Sequence, residues 1–169
     1  AAADDDKPPA DRDLKAESLG LVLDRQIPAV FCAQRADDLL TALRLAREFK
    51  LKPVLALATE GYLVRELLAK ADVPVIVHPT MQRVGGLETI NSYLGNAATL
   101  SDSGLTVAIG SGVEGYVPKT RVVRYEAALA MTYGLGFDRA LKAITLDAAR
   151  ILEIHHRYGS LRRGKVADL

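Results

Sequence analysis

Few side chains in this sequence have the chemistry of catalysis or ligation at places where a fold could use them. One thiol, Cys32, sits near the end of the apolar run Ile27-Pro28-Ala29-Val30-Phe31-Cys32-Ala33. One imidazole, His78, ends the run Val73-Pro74-Val75-Ile76-Val77, just before Pro79. A thiolate or a neutral imidazole can ligate a metal, and either can take part in nucleophilic or acid–base chemistry. Cys32 has no His or Asn partner close in sequence, so a buried structural cysteine is the expected role. His78 can be a substrate or metal contact, or a histidine hydrogen-bonded in a loop; the second is the expected one. His155 and His156 are adjacent, so on a helix or strand they cannot face one site together, and a surface position is expected. Thr59, Glu60 and Tyr62 follow the run Pro53-Val54-Leu55-Ala56-Leu57-Ala58. Glu60 can line a pocket mouth, or simply oppose the dipole at the start of the helix that follows it. Ser111 and Glu114 follow the run Leu105-Thr106-Val107-Ala108-Ile109-Gly110.

These residues are placed by an alternation of apolar runs and helical patterns. The four runs above are short and nearly continuous, which suits parallel strands buried on both faces. Between the first two, Asp37 to Phe49 carries Leu39, Ala42, Leu43 and Ala46 at helical spacing, with Asp37 and Asp38 favouring the helix start. Gly61 to Lys70 reads as a second helix, with Val64, Leu67 and Leu68 inward. A third runs from about Leu87 to Leu100, after Gly85-Gly86. Beyond Pro118 a long helical stretch ends at Gly134 or Gly136, and Phe137 to Leu152 forms one or two last helices. Strands alternating with helices imply right-handed crossovers and a parallel sheet. Four such units are about half of an eight-stranded barrel, and an open four-stranded sheet is the alternative. Gly110-Ser111-Gly112 lacks the third glycine of a dinucleotide-binding turn.

Composition narrows the function classes. The chain has 169 residues, enough for one domain with a real core, and its 49% hydrophobic and 25% charged shares suit a soluble globular protein. Its 22 basic and 21 acidic residues leave a net charge of +1, so no basic field exists to attract nucleic acid. The cluster Arg157, Arg162, Arg163 and Lys165 is too short for a nucleic-acid arm. A single cysteine excludes an intramolecular disulfide and a multi-cysteine zinc site. No run of about 18 apolar residues is present, so no membrane span is expected. No initiator Met or signal-peptide pattern stands at residue 1, and residues 1–11 read as a solvated linker.

The end of the chain carries the most specific pattern: Thr145-Leu146-Asp147-Ala148-Ala149-Arg150-Ile151-Leu152, then Gly159-Ser160-Leu161-Arg162-Arg163-Gly164-Lys165-Val166-Ala167-Asp168-Leu169. It resembles the closing signature of the amidohydrolase superfamily, T-x-x-x-A-x-x-L followed by G-S-L-x-x-G-K-x-A-D-L. Upstream, Ile27 to Asp38 resembles a P-V-x-V-H-A-H-R-A-D-D pattern on the fifth barrel strand of imidazolonepropionase-like and prolidase-like members. Leu57-Ala58-Thr59-Glu60-Gly61-Tyr62 looks like H-A-T-E-A-Y on the sixth. Val73 to Pro79 is similar to the seventh strand, and Ile109-Gly110-Ser111-Gly112 falls where the eighth gives G-S-D. Tyr125-Glu126-Ala127-Ala128 extends the match.

The resemblance implies an α/β fold of parallel (β/α) units forming the strand five to strand eight half of a TIM-type (β/α)8 barrel. That half covers residues 12–153, and 154–169 begins an exit toward a small β-sandwich. It also implies a divalent metal, held in the family by histidines on strands five and six and an aspartate on strand eight. The corresponding residues here are Cys32, Leu57 and Gly112, with Gln34 in place of the second strand-five histidine. A metal needs lone-pair donors at about 2.0–2.3 Å, and leucine and glycine side chains have none. The missing aspartate also removes the base that activates metal-bound water. Glu114 is the only nearby carboxylate, and could replace it only if the loop folds back. Asp147 is expected to cap and pack its helix.

The expected function is therefore a degenerate amidohydrolase-like barrel portion, with no cofactor and no catalytic residue. Cys32, Gln34, Leu57, Thr59, Glu60, Tyr62, His78, Ser111, Gly112 and Glu114 line its pocket. Such a half exposes strand edges that invite pairing. The expected partner is an N-terminal barrel half, in the same or another chain, or a second copy. The alternative is a metal-dependent hydrolase of C–N bonds (non-peptide amides, cyclic amides or dipeptides). Its ligands would have moved, with Cys32 and His78 as donors to zinc or another divalent ion.

Overall fold

The computed structural model describes residues 13–77, 84–111, 113–114, 117–118 and 120–167, with the backbone alone at 113–114, 117–118 and 120. Four strands, β1 (Ala29–Ala33), β2 (Pro53–Leu57), β3 (Val75–Val77) and β4 (Val107–Ile109), form one sheet in the order β1-β2-β3-β4. Every pairing in it is parallel. Each strand therefore lies beside its predecessor, and the order never reverses as it does in a doubly wound sheet. Between the strands run α2 (Ala36–Glu48), α3 (Arg65–Lys70) and α4 (Asn96–Asp102). After β4 come α5 (Val123–Ala130), α6 (Phe137–Ala143) and α7 (Leu146–Ile151). The expected α/β fold with a parallel four-stranded sheet is thus present.

Strand alternation divides the sheet into two faces. Phe31, Ala33, Leu55, Val75, Val77, Val107 and Ile109 face a core built with Leu39, Leu43, Leu68, Leu100 and Ala127 of α2 to α5. α2 joins it through Leu39, Ala42, Leu43 and Ala46, one stripe of a helix with Asp37 and Asp38 in its first turn and Arg47 in its last. Val30, Cys32, Val54, Ala56, Ile76 and Ala108 share the opposite face by register. There α7 sets Ile151 and Ala148 against Val54, Ile76 and Ala108. A Lys52–Glu153 ion pair (2.9 Å) fastens this helix where β2 begins. The chain therefore closes the N-terminal end of this face, and the C-terminal strand ends stand apart from it. Helices layered on one face of sequentially ordered parallel strands are the arrangement of consecutive barrel units.

Four elements depart from the sequence expectation. A helix α1 (Leu14–Leu23) precedes the first strand, N-capped by Asp13, whose carboxylate accepts from the backbone N–H of Lys15 and Ala16 at 2.9 and 3.1 Å. It buries none of its residues. The single helix expected over Leu87 to Leu100 is instead a 3-10 turn at Leu87–Thr89 and α4 from Asn96. The break between them frees Asn91 and Asn96 for contacts described below, and the Tyr93 ring lies where a Cβ on Gly95 would stand. The helix expected from Gly61 begins as a 3-10 turn and becomes α-helical only at Arg65. Val113–Glu114 and Val117–Pro118, expected as loop, form a short antiparallel pair, β5 and β6.

The closing signature has a structural explanation. Gly159 adopts φ +84°, and a Cβ there would meet the Ala149 Cβ at 2.7 Å and the Thr145 carbonyl at 2.9 Å. Only glycine seats the segment against the start of α7 in this way. Lys165 Nζ donates to Ser160 Oγ at 2.8 Å and to the carbonyls of His155 and Tyr158, closing the loop. Gly164 supplies the remaining left-handed turn, φ +89°.

Candidate functional site

At the C-terminal end of β2 the backbone does something costly. Leu57 and Ala58 adopt φ of +75° and +46°, consecutive left-handed residues that are not glycine. For L-residues this conformation costs about 1–2 kcal/mol each. Hydrogen bonds hold it in place. Ala58 N–H donates to the Ala33 carbonyl at 2.8 Å, and Gly61 N–H to the Ala58 carbonyl at 2.9 Å. Asn96 Nδ2 donates to that same Ala58 carbonyl at 2.8 Å, while Asn96 Oδ1 accepts from Tyr62 N–H at 3.0 Å.

The turn aims Thr59 and Glu60 back at β1. Thr59 Oγ1 donates to Gln34 Oε1 at 2.8 Å, and Glu60 N–H donates to the Gln34 carbonyl at 2.8 Å. Glu60 is only 4% exposed. Its Oε2 accepts from Ala36 N–H, the first residue of α2, and its Oε1 from Asn91 Nδ2, both at 2.7 Å. Glu60 thus serves the N-terminus of the preceding helix α2, not the following helix as expected. The left-handed step reverses its direction, and α2 offers an unpaired N–H beside a positive dipole end. Tyr62 lies half-buried beside the Tyr93 ring (centroids 5.0 Å apart), and its hydroxyl donates to the Asn91 carbonyl at 3.1 Å. Arg35 borders this cluster. Its hydrogen bond to Asp37 first, then the charges of Asp37, Glu60 and Glu88, hold its guanidinium above the usual arginine range.

Cys32 is exposed, contrary to the buried role expected for it. Alternation points Phe31 and Ala33 to the helices and Cys32 to the other face, which no described residue covers at this end. Cys32, Gln34 and Leu57 line one cavity of about 380 Å³, with Phe31, Asp38, Thr41, Leu45 and Glu88. It lies beside β1, whose outer edge is unpaired among the described residues. Leu57 is in register with the core residues Ala33, Val77 and Ile109 but is only half-buried and belongs to neither core cluster. A larger apolar cavity, about 850 Å³, lies between α6, α7 and the closing segment; residues of the closing signature line it, and none of the expected site residues does.

Other expected site residues fall elsewhere. His78 and Gly112 lie outside the described residues. Ser111 follows β4 half-buried, and Glu114 lies in β5. His155 and His156 are exposed, as expected. Asp147 does not cap its helix: its carboxylate pairs with Arg150 at 2.9 Å and Lys142 at 3.5 Å, because Thr145 occupies the cap position. Asn91 and Asn96 carry much of this geometry, yet no sequence pattern singled them out. An asparagine beside Ala97-Ala98 in an apolar stretch was the available signal.

Among the described residues, the side chains at these strand ends do not fit the divalent metal that the resemblance implies. Leu57 offers no lone pair, and the side-chain carbonyl of Gln34 is engaged by Thr59. Of the expected ligand positions among the described residues, that leaves the Cys32 thiol. Among the described residues no three His, Cys, Asp or Glu side chains stand close enough to hold an ion.

No protein-family model and no curated protein matches the chain. Solved structures do. An amidohydrolase from Thermotoga maritima superposes over 96% of this chain with a TM-score of 0.86 and 36% identity. An adenosine deaminase from Xanthomonas campestris, solved with bound zinc, covers 93% at TM-score 0.63 and 23% identity. A triazine hydrolase variant covers 88% at 0.61 and 19%. The fold is that of the amidohydrolase superfamily. The chain spans only 42%, 40% and 36% of the lengths of these three structures.

Proposed function

We propose that this chain forms the strand five to strand eight half of an amidohydrolase-type barrel, residues 12–153, with 154–169 leading toward a β-sandwich. In this reading it acts through binding and assembly and does not catalyse metal-dependent hydrolysis. The observation that carries the proposal is Leu57: the strand end whose backbone is bent and fastened like a site presents an aliphatic side chain. The engaged Gln34 amide supports the same conclusion. The partner is the other half of a barrel, in the same or another chain, or a second copy. The β1 edge, unpaired among the described residues, the exposed Val30 and Cys32 beside it, and the share of the Thermotoga structure that the chain spans support that partner.

The test is hydrolysis of non-peptide amides, cyclic amides and dipeptides by the full-length protein with added zinc, manganese or iron. Rates equal to metal-only controls are expected. A second reading, a C–N hydrolase with relocated ligands, is favoured by one observation: the Cys32 thiol is exposed on the face where a site would form. Metal-dependent turnover lost in Cys32→Ser would establish it.

A further inference from the structure

The ends of β1 and β2 are joined by protein groups where a bridging ion would need donors. Gln34 is held twice, at its side-chain carbonyl by Thr59 Oγ1 and at its backbone carbonyl by Glu60 N–H, both at 2.8 Å. Glu60 carries the tie onward to α2 and to Asn91 through both carboxylate oxygens. Thr59 and Glu60 are 5% and 4% exposed, so water does not compete freely for these bonds. Every acceptor in the tie has a protein donor, and the side chain at its corner, Leu57, is inert.

Resting on the non-catalytic reading above, we infer that Gln34, Thr59 and Glu60 form a metal-independent keystone. It cross-links β1, β2, the start of α2 and the segment at Asn91, and these strand ends take up no divalent cation. Thr59 and Gln34 are positioning residues in this account. The left-handed Leu57-Ala58 step turns the chain so that both Thr59 and Glu60 meet β1. A conformation that L-residues otherwise avoid is used here to close a polar network, with no ligand needed to complete it.

Thermal melting and cobalt titration of the full-length protein test this. Excess EDTA and excess Co²⁺ should each leave the melting temperature unchanged, and Co²⁺ should give no thiolate charge-transfer absorption. Thr59→Val should lower the melting temperature, and Thr59→Ser, which keeps the hydroxyl, should restore most of it. Thr59→Val combined with Gln34→Leu should be no worse than the two separate losses added together, since both remove one bond. A cobalt–thiolate band abolished by Cys32→Ser, a melting temperature lowered by EDTA, or a Thr59→Val variant melting like the parent would overturn the inference. Hydrolysis without any of these results would remove the functional reading and leave the keystone standing.

Discussion

Asn96 and Ala58 are 38 residues apart in sequence, yet the Asn96 amide donates to the Ala58 carbonyl at 2.8 Å and fixes the second of two left-handed residues. The same side chain accepts from Tyr62 N–H, so one buried asparagine secures both ends of the turn after β2. Asn96→Ala leaves the Tyr62 N–H without its partner, at about 1–3 kcal/mol, and takes one of two donors from the Ala58 carbonyl, which keeps Gly61 N–H, at about 0.5–1.5 kcal/mol. A loss of about 2–4 kcal/mol in denaturant unfolding is expected. Asn96→Asp keeps the acceptor for Tyr62 but sets a buried carboxylate oxygen against the Ala58 carbonyl, and should lose at least as much.

Leu57 should behave unlike the leucine two residues before it. Leu55 is fully buried in the core, and Leu55→Ala should cost about 2–5 kcal/mol. Leu57 is half-buried at φ +75°, so Leu57→Gly gives up some packing but relieves strain of about 1–2 kcal/mol. Its unfolding free energy should stay within about 1 kcal/mol of the parent. A loss as large as that of Leu55→Ala would mean that the side chain, not the backbone bend, matters at this strand end.

The large outlines of this fold were legible because they are local. Buried parallel strands read as apolar runs, and α2 declares itself by Leu39, Ala42, Leu43 and Ala46. The site was legible only in part. Glu60 stood out as a carboxylate at a strand end, but its partner, Ala36 N–H, lies 24 residues upstream and is reached only through the left-handed turn. Nothing in the types Leu and Ala announces that turn. The segment after Leu87 reads as helical, yet Asn91 and Asn96 spend their side chains on Glu60, Ala58 and Tyr62, and the helix forms only from Asn96. Cys32 was misjudged because its burial depends on what covers the sheet face it shares with Val54 and Ala56.

The closing signature is expected to act in stability and not in chemistry. Gly159→Ala puts a Cβ against Ala149 and the Thr145 carbonyl at a positive φ, and should cost about 1–3 kcal/mol by overpacking alone. Trypsin should then cut faster at Arg162 and Arg163. Gly164→Ala, with open space around its Cβ, should cost only the backbone strain, about 1–2 kcal/mol. Equal proteolysis of the two variants would show that the seat of Gly159 does not hold the segment.

Lys165→Met removes the donor shared by Ser160 Oγ and the carbonyls of His155 and Tyr158. Because these groups border solvent, the expected loss is about 1 kcal/mol, with loosening confined to 155–166. Amide hydrogen exchange should quicken there and stay unchanged in β1 to β4.

The central claim is that these strand ends form an amidohydrolase-like frame without a metal-holding donor set. Elemental analysis of the purified full-length protein after dialysis tests it most directly. The account predicts zinc, iron and manganese far below one equivalent in a folded, monodisperse sample. Near-stoichiometric metal, lost on Cys32→Ser, would contradict it.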